Sequence, residues 1–232
     1  MIQRNLTRAK TLINQSVAKF RDVSLSRRAA NSTQESPQTD NKKSKSTRFE
    51  WILFTREALR NYRTIGAVWV SSQRLAQTMA SFVPLTESGL IVELGSGTGI
   101  VTEALLQHGV APERLVSIEQ SASLADYLHQ RFPDVQVIKG DAQHLCELLG
   151  DDCQRVSTIV SSLPFRSLPH AVGHGIIKQI DKILPKEGLL IQFTYDISGR
   201  GMLFPHHFKR VSFKTVWGNL PPARVNVYQS EQ

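Results

Sequence analysis

The 232-residue chain lacks several things, and each absence narrows its class. It has two cysteines, Cys146 and Cys153, seven positions apart and without Cys or His partners at metal-ligand spacing. A disulfide framework and a structural metal site are therefore not expected, and a reducing compartment is. No apolar run approaches the ~18 residues that cross a bilayer as a helix. No internal repeat is present. Acidic residues are scarce in one region only. Residues 1–48 hold eleven Lys/Arg against Asp22, Glu35 and Asp40, whereas residues 49–232 hold seventeen of each sign. The formal net charge of +8 thus resides in the N-terminal arm, which directs that arm towards an anionic surface, either membrane or nucleic acid.

The remaining patterns divide the chain. In residues 1–28, Ile2, Leu6, Ala9, Ile13, Val17, Phe20 and Val23 recur at three- or four-residue spacing, with Arg4, Arg8, Lys10, Lys19 and Arg21 mostly between them. This predicts a basic amphipathic helix. A membrane-surface helix, a partner-binding helix and a targeting segment rich in Arg and Ser all share that pattern. Residues 29–48 carry almost no bulky apolar side chain until Phe49, and a disordered linker is expected there. From 49 to 232 the composition is that of one folded domain. It opens with a second amphipathic helix, in which Trp51, Ile52, Thr55, Ala58, Leu59 and Tyr62 share a face. A further helix is expected through Leu75, Met79 and Phe82, stopped before Pro84 and capped by Ser71 or Ser72.

Beyond Leu90 the order becomes regular. Short apolar runs at 90–94, 115–119, 135–138, 156–161 and 188–194 alternate with helical patterns near 99–108, 121–131, 142–149 and 169–184. Such alternation predicts a parallel, doubly wound α/β sheet. Two strand-like runs, 208–217 and 223–229, close the chain as a hairpin. The first strand carries one acid, Glu93, and breaks on alternating glycines, Gly95, Gly97 and Gly99, before a helix starts. Backbone N–H groups at such a turn favour an anionic ligand group. In an open α/β sheet the ligand lies outside the carboxyl ends of the strands. The second strand ends on Glu119, able to accept two ribose hydroxyls. The third ends on Asp141-Ala142, able to accept from an adenine amino group and donate to a ring nitrogen. Asp141 in that position also suits a plain helix N-cap.

Glu93-x-Gly-x-Gly-x-Gly resembles motif I of the class I S-adenosylmethionine (SAM) dependent methyltransferases, and five parallel units closed by a hairpin resemble their seven-stranded, Rossmann-like sheet with helices on both faces. The resemblance implies SAM as cofactor, held by Glu93, Gly95, Gly97, Gly99, Glu119, Asp141 and Ala142. The fourth strand ends in Ser162-Leu163-Pro164-Phe165, which resembles the (Asp/Asn/Ser)-x-Pro-aromatic motif of enzymes that methylate amino nitrogen. A side-chain oxygen and a turned-out carbonyl can hold the amine N–H groups there, proline fixes the turn, and an aromatic face meets the cation. Two substrate classes use this motif, adenine in RNA and lipid amines.

Further segments are similar to bacterial phospholipid N-methyltransferases, a family related in motif to the rRNA adenine dimethylases. These are Arg56 to Met79 with Ser71 and Ser72, Gln192-Phe193-Thr194-Tyr195, and Trp217 followed by Asn219 to Val225. Val70 departs from the family's usual proline, and the arm is longer than the family implies. The resemblance places Ser71 and Ser72 with the cofactor and Ser162, Leu163, Phe165 and Tyr195 with the reaction; Tyr195, at the end of the fifth strand, or a nearby water is the candidate proton acceptor. Phe165, Tyr195, Trp69 and Trp217 are candidates for a surface that follows a growing cation, and His206, His207, Lys209 and Arg210 for a lipid-phosphate contact. The implied activity is stepwise methylation of phosphatidylethanolamine towards phosphatidylcholine; peripheral attachment on the cytoplasmic side of the inner membrane, with the arm on anionic lipid, is expected from the arm's charge and is not inherited from the family. No metal is expected, and a domain without net charge disfavours nucleic acid. The alternatives are an rRNA adenine N6-dimethyltransferase and a SAM-fold scaffold without activity.

Overall fold

A computed structural model describes residues 66–232 apart from 87, 167, 197–203 and 220–221, and of residues 66–72 the backbone alone. The arm 1–28, the linker 29–48 and the helix expected from Phe49 lie outside the described residues.

The first described helix, α1, spans Gly66–Ala80. Its carboxyl half buries Leu75, Ala76, Met79 and Ala80. Ser71 and Ser72 stand in its interior, so neither is the cap expected of them; the helical backbone already runs through Gly66-Ala67-Val68. The end also differs. Phe82 falls in a tightened turn, where its N–H reaches the Met79 carbonyl and that of Val83 reaches Ala80.

Alternating elements follow: β1 (Leu90–Leu94), α2 (Ile100–His108), β2 (Leu115–Glu119), α3 (Ala122–Arg131), β3 (Gln136–Lys139), α4 (Leu145–Leu149), β4 (Val156–Ser161), α5 (His170–Ile183), β5 (Leu189–Thr194), β6 (Phe208–Val216) and β7 (Ala223–Ser230). One seven-stranded sheet holds all the strands in the order β3-β2-β1-β4-β5-β7-β6. Strands β1 to β5 pair in parallel, and β7 runs antiparallel to both β5 and β6. This is the Rossmann-like arrangement of class I methyltransferases. The central strands are buried on both faces, which is why they read as continuous apolar runs. One face packs Ile91, Val160, Ile191, Val225 and Val227 against Met79 and Leu105. The other packs Val92, Leu94, Ile159 and Leu190 against Leu145, Ile176 and Ile180. Strand order reverses between β1 and β4, so their carboxyl ends flank the switch point.

Candidate active site

The loop after β1 is shaped by backbone that only glycine adopts easily. Gly95 and Gly97 have φ of 73° and 57°. A Cβ on Gly95 would stand 2.6 Å from Cδ2 of Leu163, whereas one on Gly97 would meet nothing closer than the Gly95 carbonyl at 4.0 Å. Gly95 is thus a contact between the β1 and β4 ends, and Gly97 faces open space. Gly99 caps α2, whose N-terminus points its free amides into the same region.

The acids at the strand ends hold this loop. Glu93 is fully buried, and its Oε2 accepts from Thr102 Oγ1 at 2.7 Å and Ser117 Oγ at 2.9 Å, joining β1 to α2 and β2. Its Oε1 has no hydrogen-bond partner. Burial pushes its carboxyl up to about 7, against the two hydroxyl bonds that lower it. Ser96 lies near enough to lower it too, although the Ser96 hydroxyl makes no hydrogen bond of good geometry. Glu119 accepts from the Gly97 N–H at Oε2 and from the Ser121 N–H at Oε1, both at 2.8 Å. One lone pair on each oxygen remains. Asp141 is an N-cap: its Oδ1 accepts from the Gln143 N–H at 3.0 Å, and its Oδ2 from the side-chain amides of Gln120 at 2.9 Å and Gln143 at 3.2 Å. Ala142 is buried beside it.

At the end of β4 the Ser162 N–H donates to the Leu94 carbonyl at 2.9 Å, one residue before Gly95. The Ser162 Oγ is buried and has no partner. The Leu163 carbonyl, expected to turn outwards, is turned into the protein instead. It accepts from the Phe165 N–H at 2.9 Å and from Gln192 Nε2 at 3.0 Å, which occupies both lone pairs. Gln192 also donates to the Phe193 carbonyl at 2.8 Å. Both recipients are carbonyls, so the amide orientation follows from them, and Oε1 is left buried and unpaired. Ser161, Gln192 and Asn226 stand at one level across β4, β5 and β7, all buried. Arg166 and Asp196 form an ion pair that ties the segment after Phe165 to the end of β5.

Phe165 is buried, edge-on to Phe204 with ring centroids 6.2 Å apart, and so belongs to the core. Tyr195 is more than half exposed and lies edge-on to Phe193 at 5.4 Å. Trp217 is an exposed side chain rather than a cage wall. For Ser71 and Ser72 only the helical backbone is described. The group His206, His207, Lys209 and Arg210 is corrected by topology. Strand β6 runs parallel to β5, so Phe208, opposite Ser230, lies at the amino edge of the sheet, far from the strand ends that carry the acids. Nine residues of strand separate the two edges, roughly 30 Å. There His207 pairs with Asp181 and Lys209 with Glu231.

Four positioning residues carried no signal in the linear sequence. Thr102 and Ser117 depend on tertiary contact to reach Glu93. Arg131 donates to the Thr98 carbonyl and to Glu103, both at 2.8 Å, and so fastens the glycine loop from α3. Gln192 had only its place in the segment 192–195 to mark it.

Residues 59–203 match the model of the ribosomal RNA adenine dimethylase family. The chain belongs to that family. Among named relatives it is 25% identical over 178 residues to an ornithine lipid N-methyltransferase of Singulisphaera acidiphila, covering 75% of this chain and 93% of that protein. It is 29% identical over 103 residues to ribosomal RNA small subunit methyltransferase A of Maridesulfovibrio salexigens, but there it spans only 38% of the relative's length. The fold recurs in solved structures, two of them at 15% identity being examples. One is the 1,6-didemethyltoxoflavin-N1-methyltransferase of Burkholderia thailandensis, with bound S-adenosylhomocysteine (TM-score 0.58, 86% of this chain, 94% of that one). The other is N-methyltransferase NodS of Bradyrhizobium japonicum (TM-score 0.57, 77% and 99%).

Proposed function

We propose that the chain methylates the amino group of a membrane lipid, phosphatidylethanolamine and its methylated intermediates, towards phosphatidylcholine. That it is a SAM-dependent methyltransferase is the established part; the lipid acceptor is the proposal. The residues present fit the cofactor. Gly97 leaves open space beside the N-terminus of α2, Glu119 keeps one lone pair on each oxygen for a ribose hydroxyl, and Asp141 keeps one on Oδ1 for an amino group. The unpaired Oε1 of Glu93 suits a nearby positive charge, such as an ammonium group. The cofactor supplies a methyl group on a sulfonium, open to in-line attack by a lone pair.

The observation that carries an amine acceptor is the buried, unpartnered hydroxyl of Ser162, in the residue next to Leu163, which itself touches Gly95. An amine N–H donated to that oxygen fixes the nitrogen beside the glycine loop, and fixing it removes much of the orientational cost of the reaction. An alkylammonium with a pKa near ~10 must first lose a proton. Water at the mouth of the site takes it, directly or through the exposed Tyr195 hydroxyl, which accepts the proton as it passes its own to solvent. The Leu163 carbonyl serves in this reading as a buttress held by Gln192, with Ser162 the polar contact to the amine.

A lipid acceptor draws support from the relative that the chain matches over most of both lengths, whose name is that of a lipid N-methyltransferase. The basic arm would hold the enzyme peripherally on anionic lipid at the cytoplasmic face of the inner membrane. Among the described residues no helix is long and apolar enough to cross a bilayer. An rRNA adenine acceptor is the second reading, favoured by the family match and the small-subunit methyltransferase relatives. The deciding experiment offers labelled SAM with phosphatidylethanolamine, with an ornithine lipid, or with protein-free ribosomal RNA. Label in phosphatidylethanolamine is expected; label in RNA alone would reverse the reading.

A further inference from the structure

Seventeen charges of each sign cancel over residues 49–232, but they are not mixed. Residues 208–230 hold Lys209, Arg210, Lys214 and Arg224 and no acid, whereas residues 66–207 hold ten Lys/Arg against fourteen Asp/Glu. The hairpin of β6 and β7 is therefore a cationic flank on an otherwise acidic domain. Its outer strand, β6, is the edge of the sheet.

That edge also exposes three large apolar side chains: Val211 at 53%, Phe213 at 54% and Trp217 at 71%. The guanidinium of Arg210 lies 5.4 Å from the Phe213 ring centroid and that of Arg224 lies 5.0 Å from it, so the ring and two cations form one unit. The pairing register carries Thr194, at the end of β5, through Arg224 to Thr215. Arg224, Lys214 and Trp217 therefore stand at the carboxyl edge of the sheet, the edge that carries Ser162 and Glu119.

We propose that the exposed β6 edge with Trp217 is a second membrane-docking surface, separate from the N-terminal arm, which sets the active-site mouth against an anionic bilayer. The proposal rests on the lipid reading above. Charges on an edge strand also guard against strand pairing with another copy, but guarding does not call for an exposed Val, Phe and Trp among them. Exposed apolar side chains beside Arg210 and Arg224, with Lys214 on the opposite face of the edge strand and Trp at the rim, match the chemistry of a headgroup layer over acyl chains. A single-stranded nucleic acid would need free aromatic faces for stacking, and Phe213 already faces Arg210 and Arg224. Glu231 pairs with Lys209 at the far end. Lys214 and Arg224, at the carboxyl edge, take part in no ion pair among the described residues, and lipid phosphate would supply them one.

The test uses the full chain with Trp51→Phe and Trp69→Phe, which leaves Trp217 as the sole tryptophan. Vesicles of phosphatidylcholine with phosphatidylglycerol are compared with phosphatidylcholine alone, each with brominated acyl chains, while sedimentation reports binding through any surface. Trp217 emission should shift to the blue and be quenched on the anionic vesicles. Removing Lys214 and Arg224 together (Lys214→Gln, Arg224→Gln) should weaken partitioning about 25-fold, at about fivefold per charge. Val211→Ser with Phe213→Ser should reduce the quenching while the arm still brings the protein down with the vesicles. Bound protein whose Trp217 stays unquenched overturns the docking surface. So does a concentration-dependent blue shift without vesicles, which would mean a second copy, and so does a shift caused by RNA alone. Methylation of detergent-dispersed phosphatidylethanolamine is measured in parallel. An enzyme active on dispersed lipid with Trp217 unquenched loses only the docking surface, whereas one that labels RNA and no lipid loses the substrate reading as well.

Discussion

The two halves of the sheet differ in how the side chains at their strand ends are held. On the β1–β3 side, Glu93, Glu119 and Asp141 are each engaged by the protein itself (two hydroxyls, two backbone amides, and one backbone amide with two side-chain amides), while Glu93 Oε1 and Ser96 Oγ are left without partners. On the β4–β7 side, Ser162 Oγ, Gln192 Oε1 and Asn226 Oδ1 are buried without partners. A buried unpaired acceptor costs about 1–3 kcal/mol, so a cluster of them is held there by something other than stability. The cofactor half is largely fastened in advance, with Glu93 Oε1 in reserve, whereas at the acceptor half the Ser162 hydroxyl itself is in reserve. Gly95 against Leu163 is the seam between them.

The largest effect expected from this contrast is at Ser162. Ser162→Ala should lower turnover between about a hundredfold and a thousandfold, the range for one lost polar contact to a reacting group, with SAM affinity unchanged by calorimetry. A parallel loss of SAM affinity would mean the two halves do not work separately. Next comes Glu93. With its folded-state value near 7, above the ordinary 4.5, the native protein holds a proton there that the unfolded chain has released. Stability from this group is therefore intact below about 4.5, falls as pH rises through that window, and levels above about 7, a change on the order of 3 kcal/mol. Glu93→Gln should remove the slope, since the amide does not ionise. Its unpaired NH2 adds only a constant offset, so urea unfolding from about pH 5 to 8 should show the wild type losing ground to the variant as pH rises. Parallel curves would place the buried charge elsewhere. The smallest effect is at Glu119. Glu119→Ala should weaken SAM binding about tenfold and loosen the Gly97 loop, with the fourth-strand end untouched. An unchanged dissociation constant would reduce Glu119 to a loop fastener.

Much of this was legible before any coordinates. Strand limits at 90–94, 115–119 and 156–161 agree to the residue with those observed, because short β-branched runs bounded by glycine, proline or acids have few other solutions. Asp141 was readable both as a ligand and as a cap, and the cap is what its bonds show. Other features had no local signature. Ser71 and Ser72 look like caps only while the helix is assumed to start at them. The cations at 206–210 and those at 214 and 224 read as equals in a linear string, yet β6 puts the first group at one edge of the sheet and Lys214 and Arg224 at the other.

By itself the amino-acid sequence determined the alternating α/β order, the glycine turn after Glu93, the three acids at three strand ends and the Ser162-Leu163-Pro164-Phe165 turn after the fourth strand. Each of these depends on local backbone preference or on residue type at a short spacing. Only the tertiary structure decided that the Leu163 carbonyl turns inward onto Gln192, that Thr102 and Ser117 share one oxygen of Glu93, and that the hairpin's cations lie along the edge of the sheet. Those outcomes join residues 9 to 29 positions apart, or whole strands. The strand order of the sheet, which no single segment encodes, is what brings them together.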